Sequence, residues 1–346
     1  MRHLRRLSVY AANNDHRIKD TSLQELSMNG VRMKKQALFI SLLLGQSLAC
    51  AEPLQSVATD NGLVTATGVY AYNDFKFDST AGDRFNRYKG HMNFYSVGGN
   101  NVKLNQYLSG GLFVYWIDTS FVSQLLLPSL PLTTANQSIS NNSIYAHVLA
   151  NVKSSFFIDA AGGWGRNSGR YTTSFTTNTL QQGFARTSGD TWFVSGAALY
   201  NTQWKQLSIS ANAGILYTEV MQNPYSLSYA AMTINTPPQY VRRLQTNATY
   251  ILENLEVGYQ MSPMFQPFIN GGLVQVADFN TSQRVIGIDV IGPVPAVNLD
   301  MNGYKIGGGL GINYKQYALR LEEQYFQRGG AYSSNQMTLT LRANFS

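Results

Sequence analysis

The chain has 346 residues, of which 12% are aromatic and only 13% charged, against roughly 25% charged in a soluble domain. A mean hydropathy of -0.17, and the lack beyond residue 51 of any apolar run of the ~20 residues a spanning helix needs, exclude a helical membrane protein. The formal charge of +7 arises mainly in residues 1–51, which hold 8 Lys+Arg and 3 Asp+Glu, leaving 18 basic and 16 acidic residues beyond them; a nucleic-acid partner is therefore not expected.

Residues 1–32 read as an upstream extension that is not part of the mature protein. Residues 33–51 open on Lys34 and Lys35, continue through an apolar core, and end on Ala49-Cys50-Ala51. That order is a secretory signal peptide, with cleavage expected after Ala51. Cys50 is the only cysteine, so the alternative of a lipid-modified Cys50 stays open, whereas disulfides and thiolate metal sites are excluded from the mature chain. Residues 52–62 form a short N-terminal segment, and residues 63–346 a single domain.

That domain repeats one unit, a strand, a short polar turn, a second strand and a long loop, which predicts an all-β fold, a transmembrane antiparallel β-barrel of about 12 strands. Strands are expected near Leu63–Phe77, Arg87–Gly99, Leu108–Phe121, Ser143–Val152, Phe156–Arg170 and Thr191–Asn201. They continue near Leu207–Val220, Leu244–Gln260, Gln266–Phe279, Met301–Tyr314, Tyr317–Arg328 and Gln336–Phe345. Short turns such as Lys153–Ser155 and Lys315-Gln316 alternate with long connections at Asp78–Asn86, Val122–Asn142, Tyr171–Asp190, Met221–Arg243 and Asn280–Asp300. Short turns on the periplasmic side and long loops outside place both chain ends in the periplasm.

The two faces of a strand separate most cleanly in three places. Leu207, Ile209, Ala211, Ala213, Ile215 and Tyr217 oppose Ser208, Ser210, Asn212, Gly214 and Thr218, and Tyr304, Ile306, Gly308, Leu310, Ile312 and Tyr314 oppose Lys305, Gly307, Gly309, Gly311 and Asn313. The last strand puts Met337, Leu339, Leu341, Ala343 and Phe345 on one face. Half of each strand then meets lipid and half a wet lumen. Leu339, Leu341 and Phe345 are read as the edge that barrel assembly machinery recognises. Two strands fit less well: Phe113, Tyr115 and Ile117 oppose the equally apolar Leu112, Val114 and Trp116, and Glu323 shares a face with Leu319 and Leu321, as at a bulge or an interface. Tyr95, Trp116, Trp164, Trp192, Trp204, Tyr217, Tyr259, Tyr304 and Tyr314 fall near expected strand ends, as aromatic girdles do.

Gly- and aromatic-rich segments recur at Tyr95–Tyr115, Phe156–Arg166, Gln266–Gly272 and Glu322–Gly330. With the closing strand, this grammar resembles the C-terminal translocator barrel of autotransporters, over nearly all of Leu63–Phe345. The resemblance implies an outer-membrane barrel. Only about ten residues, Glu52 to Asn61, precede the first strand, so a sizeable secreted passenger is not expected.

A hydrolase at the barrel rim needs a general base, and beyond residue 51 only His91 and His147 are available, neither in a motif with a nucleophile. No enzyme activity, cofactor or metal site is expected. Asp159, Glu256, Lys305, Arg320, Glu322 and Arg342 are the charged candidates for lining the lumen, and their mixed signs suit either a solute-filtering constriction or a salt-bridged plug. Two apolar loops, Leu125–Leu132 and Val285–Val297, suit a contact with a host surface or an apolar solute, or a fold into the barrel mouth. The expected partners are outer-membrane lipid and lipopolysaccharide, the assembly machinery, and a host surface or small solutes. The sequence thus reads as a pore or surface-exposed membrane scaffold, with an adhesin or hydrophobic-solute barrel as the alternative and a rim hydrolase third.

Overall fold

The computed structural model describes residues 64–81, 84–126, 132–176, 180–230, 239–281 and 302–345. The upstream extension, the signal peptide with Cys50 and Ala51, and the apolar stretch Val285–Val297 lie outside the described residues. The described chain is all strand: β1 (Val64–Ala81), β2 (Arg84–Lys103), β3 (Leu108–Leu126), β4 (Thr133–Lys153), β5 (Phe156–Thr176), β6 (Leu180–Trp204) and β7 (Leu207–Gln222) come first. They are followed by β8 (Tyr225–Ala230), β9 (Gln239–Val241), β10 (Leu244–Tyr259), β11 (Phe265–Thr281), β12 (Gly303–Tyr314), β13 (Tyr317–Arg328) and β14 (Tyr332–Phe345).

Twelve of these form a closed antiparallel barrel in which each strand pairs with its sequence neighbours, β7 pairs with β10, and β1 pairs with β14. The seam runs from Val64 opposite Phe345 to Phe77 opposite Tyr332. Closure is demanded by the solvent, because hydrocarbon offers no partner to a free N–H or C=O and each one left over costs several kcal/mol. The short β8 and β9 form a hairpin within the β7–β10 connection, and β8 also pairs with the far end of β6.

Alternation along each strand sets the two surfaces. On β14 the buried side chains are Tyr332, Ser334, Gln336, Thr338 and Thr340, while Met337, Leu341 and Phe345 point outward and are exposed. β7 and β12 divide in the same way, with Ile215 and Ile306 outward. Two of the short-turn hairpins share one device: Lys205 and Lys315 take positive φ (54° each) in the turns after β6 and β12. Each ammonium lies over the preceding ring, 5.4 Å from Trp204 and 5.3 Å from Tyr314. Trp204, Tyr259, Phe265, Tyr314, Tyr317 and Phe345 make a lower aromatic ring at this end. Tyr95, Trp116, Trp164 and Tyr304 make an upper one on the same outer surface. Trp164 stands eight residues along β5 from Phe156, which at ~3.3 Å per residue and a tilt of about 40° puts the rings roughly 20 Å apart, close to the height of an apolar band.

Four of the expected long loops are largely strand. β1 and β2 continue to Ala81 and from Arg84, β3 and β4 to Leu126 and from Thr133, and β5 and β6 to Thr176 and from Leu180. The fourth, Met221–Arg243, contains β8 and β9. The upper aromatic ring therefore lies at mid-strand. Above it the outer surface meets water, so β4 shows Asn136, Ser138 and Asn142 outward where lower down it shows Ile144 and Val148. The apolar periodicity fades while the backbone pairing persists. Glu323 sits outward on a β13 whose register with β12 and β14 is unbroken, so no bulge accounts for it.

Leu341 lies four residues from Phe345, inside the apolar band, whereas Asn335 lies at its upper margin. Leu341→Arg is expected to cost about 2–4 kcal/mol and Asn335→Arg about 0–1 kcal/mol, checked by urea unfolding in liposomes. An epitope inserted between Thr176 and Leu180 is expected to be labelled on intact cells. One between Lys153 and Phe156 is expected to need permeabilised cells, and equal labelling of both would contradict the topology.

Candidate functional site

The inward faces of the strands carry two kinds of chemistry at different heights. In the half nearer the long-strand hairpins the wall carries a large apolar cluster, interspersed with buried polar side chains such as Asn73, Asn141, Asn167 and Gln336: Val69, Phe75 and Phe77 on β1, Tyr88, Met92 and Phe94 on β2, and Phe113, Tyr115, Ile117 and Phe121 on β3 are buried in it. The same cluster takes in Ile139 and Tyr145 on β4, Phe193 on β6, Leu216 and Val220 on β7, Tyr250 on β10, Val274 on β11 and Tyr332 on β14. Rings stack along the wall, with Phe113 parallel to Tyr145 at 5.0 Å and Phe94 to Tyr115 at 5.7 Å. The inward face, expected to be polar, thus also carries this apolar cluster. β3 reads as apolar on both sides because one side meets lipid and the other meets these rings.

Below most of the belt, toward the short turns, lies a charged group. Arg320 on β13 reaches back to β10, where its two terminal nitrogens donate to both carboxylate oxygens of Glu256 at 2.9 and 2.7 Å. It also donates to Glu322, its neighbour on the same strand face, at 2.9 Å. Asn270 of β11 donates its amide to the other Glu322 oxygen. The three charged side chains are only 15%, 15% and 7% exposed. Phe268 of β11 packs against the group, its ring centroid 3.6 Å from the guanidinium carbon. Room for that ring comes from Gly309 on β12, where a Cβ would stand 2.6 Å from the Phe268 ring edge. One stack thus runs Gly309, Phe268, Arg320 and the two glutamates. Forked pairing of this kind is the strong, geometrically specific form of a charged hydrogen bond.

Of the remaining candidates, Arg342 faces inward on β14 opposite Ala318, diagonal to Arg320. Lys305 is buried higher up on β12, its stem passing over Gly272. Asp159 belongs to a second centre on the other side of the barrel: it is 3% exposed, and one of its oxygens lies 2.8 Å from Nδ1 of His147. Nε2 of His147 lies 2.9 Å from the amide oxygen of Asn100, which also accepts the backbone N–H of Asn101 at 2.7 Å. Both ring nitrogens therefore face oxygens. Gly111 of β3 makes the space, since a Cβ there would fall 2.7 Å from a ring carbon of His147. The sequence reading passed over His147 and Asn100 as site members; what joins them is the pairing of β2, β3, β4 and β5, which no local spacing encodes. His91 points outward and stacks on Tyr72 at 6.2 Å. Among the described residues no group of three or more His, Cys, Asp or Glu is arranged to hold a metal ion.

Removing the cation at the first centre strands two buried carboxylates. Arg320→Met is expected to destabilise the barrel by about 3–5 kcal/mol. Adding Glu256→Gln and Glu322→Gln to it should restore a large part of the loss. The urea midpoint of refolded protein checks both, and a triple variant as weak as the single one would show that the charges are not coupled.

No family model matches the sequence, and no curated protein matches it. Among solved structures, the chain is similar to the translocator domain of the autotransporter NalP from Neisseria meningitidis, with a TM-score of 0.68 at 10% identity over 90% of this chain and 98% of that one. It is also similar to the β domain of the Bordetella autotransporter BrkA, with a TM-score of 0.54 at 14% identity over 81% and 99% of the two chains. The transport unit of AIDA-I from Escherichia coli gives a TM-score of 0.52 at 11% identity over 88% and 98%. With its closed twelve-strand wall and two aromatic rings, the chain is a transmembrane β-barrel that shares the fold of autotransporter translocators.

Proposed function

We propose that this outer-membrane barrel admits apolar or amphipathic solutes to its lumen and does not act as a general pore for hydrated ions. The observation that carries this reading is the inward apolar belt, to which nine barrel strands contribute buried side chains. A twelve-strand wall is wider than the eight-strand barrels that side chains alone fill, so its lining decides what occupies the interior. An aromatic lining favours an apolar occupant and disfavours a water column, since apolar constrictions dewet. The charged stack at Arg320 would then act as a polar base to this chamber. His147 is not arranged as a general base in this reading, since its second nitrogen meets the amide oxygen of Asn100, where a hydrolase would need a nucleophile or a water to activate.

A second reading rests on a different observation. β4, β5 and β6 run for 21, 21 and 25 residues, about twice the 9–11 a strand needs to cross a membrane. Their polar outer ends and the β8–β9 hairpin would present a surface scaffold or adhesive face to the medium. Leu339, Leu341 and Phe345, outward beside the seam, would serve the assembly machinery.

In planar bilayers the refolded protein is expected to give little steady conductance, while binding an apolar fluorophore such as N-phenyl-1-naphthylamine from water. Phe113→Ser should weaken the fluorophore by about tenfold, the equivalent of roughly 1.4 kcal/mol, and raise conductance. Steady ohmic steps in the wild type, or a fluorophore indifferent to Phe113, would contradict the lumen reading.

A further inference from the structure

The outer wall above the upper aromatic ring holds an arrangement that the lumen does not use. Arg170 on β5 and Arg186 on β6 lie in direct cross-strand register, and both are outward and exposed. Like charges directly opposite on a sheet face destabilise the pair. Nothing acidic offsets them: among the described residues no ion pair involves either arginine. The nearby acids are engaged elsewhere, Asp190 with Arg166 at 3.9 Å and Asp118 with the Ser140 hydroxyl at 2.6 Å. Two adjacent guanidinium forks with no counter-charge among the described residues suit a phosphate, whose oxygens they can engage in paired hydrogen bonds.

Height identifies the phosphate. Trp164 and Trp192 are themselves cross-strand partners and belong to the membrane-facing surface. Arg166, two residues above Trp164, holds its guanidinium 5.8 Å from that ring centroid. Arg170 and Arg186 stand six residues beyond the tryptophans, about 15 Å higher at the slope of a tilted strand. This is the level of lipid headgroups and their sugars, on the side of the membrane away from the short turns. Hydroxyls surround the pair: Ser138 is opposite Arg170, and Ser168 and Ser188 face one another one step below, all outward and exposed. We propose that Arg170 and Arg186, flanked by Ser138, Ser168 and Ser188, bind the phosphorylated sugar headgroup of an outer-leaflet glycolipid. The site rests on the membrane placement of the barrel and is independent of what its lumen admits.

The test uses refolded wild type, the R170Q/R186Q pair and the R170K/R186K pair, each first shown to be folded by heat-modifiable gel mobility. Isothermal titration compares core-truncated lipopolysaccharide, the same lipid after removal of its phosphates, and inorganic phosphate. The wild type is expected to prefer the phosphorylated lipid by about tenfold or more, the glutamine pair to lose that preference, and the lysine pair to keep part of it. Equal affinity of the wild type for both lipids, or a glutamine pair that binds like the wild type, would overturn the proposal. So would inorganic phosphate binding as tightly as the lipid, since the site would then be one for a free anion. If the glutamine pair does not fold, the two lipids on the wild type and the lysine pair decide. Fluorophore binding in the lumen should be the same in every folded variant, which separates failure of this site from failure of the lumen reading.

Discussion

Everything in this protein depends on the pairing of β1 with β14. A sheet in hydrocarbon cannot keep an edge, because each unpaired backbone group there costs several kcal/mol with no water to repay it. The fourteen residue pairs of the seam, from Val64 with Phe345 to Phe77 with Tyr332, convert an open sheet into a closed wall. Closure then forces the period-two division of every strand, since each side chain must go either to lipid or to the interior. The outward Leu341 and the inward Thr340 are neighbours in sequence and occupy different solvents.

Inside the wall the apolar cluster and the Arg320 group lie at different heights, while the buried Arg328 stands over the Tyr250 ring within the cluster. The belt around Phe113 and Tyr145 is held by ring stacking, and the charges are held where they can be fully hydrogen-bonded. Arg320 satisfies Glu256 and Glu322 at once, and Phe268 and the absent side chain of Gly309 set its position. His147 depends in the same way on Gly111 for space and on Asp159 and Asn100 for partners. In each centre a glycine on the next strand is what allows a large side chain to lie flat along the wall.

Outside, the same strands cross two environments. Below the tryptophans the surface is mainly Ile, Val and Ala; above them it is mainly Ser, Asn and Arg, on continuous β4, β5 and β6. Among the described residues the strands are of unequal length, 12 residues in β12 and β13 against 25 in β6. The outward Glu323 on β13, in unbroken register between Gly308 and Met337, lies on one of the shorter strands; nothing in the structure explains it.

Residue order alone determined the barrel, the rough positions of its strands, the outward face of the final strand and the inward face of Lys305, because alternation between lipid and interior is a local, period-two signal. It could not mark the true ends of β4, β5 and β6. Beyond the membrane both faces of a strand are compatible with polar residues, so the alternation disappears although the hydrogen bonds continue. Nor could it reveal the inward aromatic cluster: Phe113, Tyr115 and Ile117 registered only as an untidy second apolar face. The meeting of Arg320 with Glu256 across three strands, of His147 with Asn100 and Asp159, and of Arg170 with Arg186 was decided by tertiary structure. Each depends on register between strands, which is set by closure of the whole sheet and not by any segment of it.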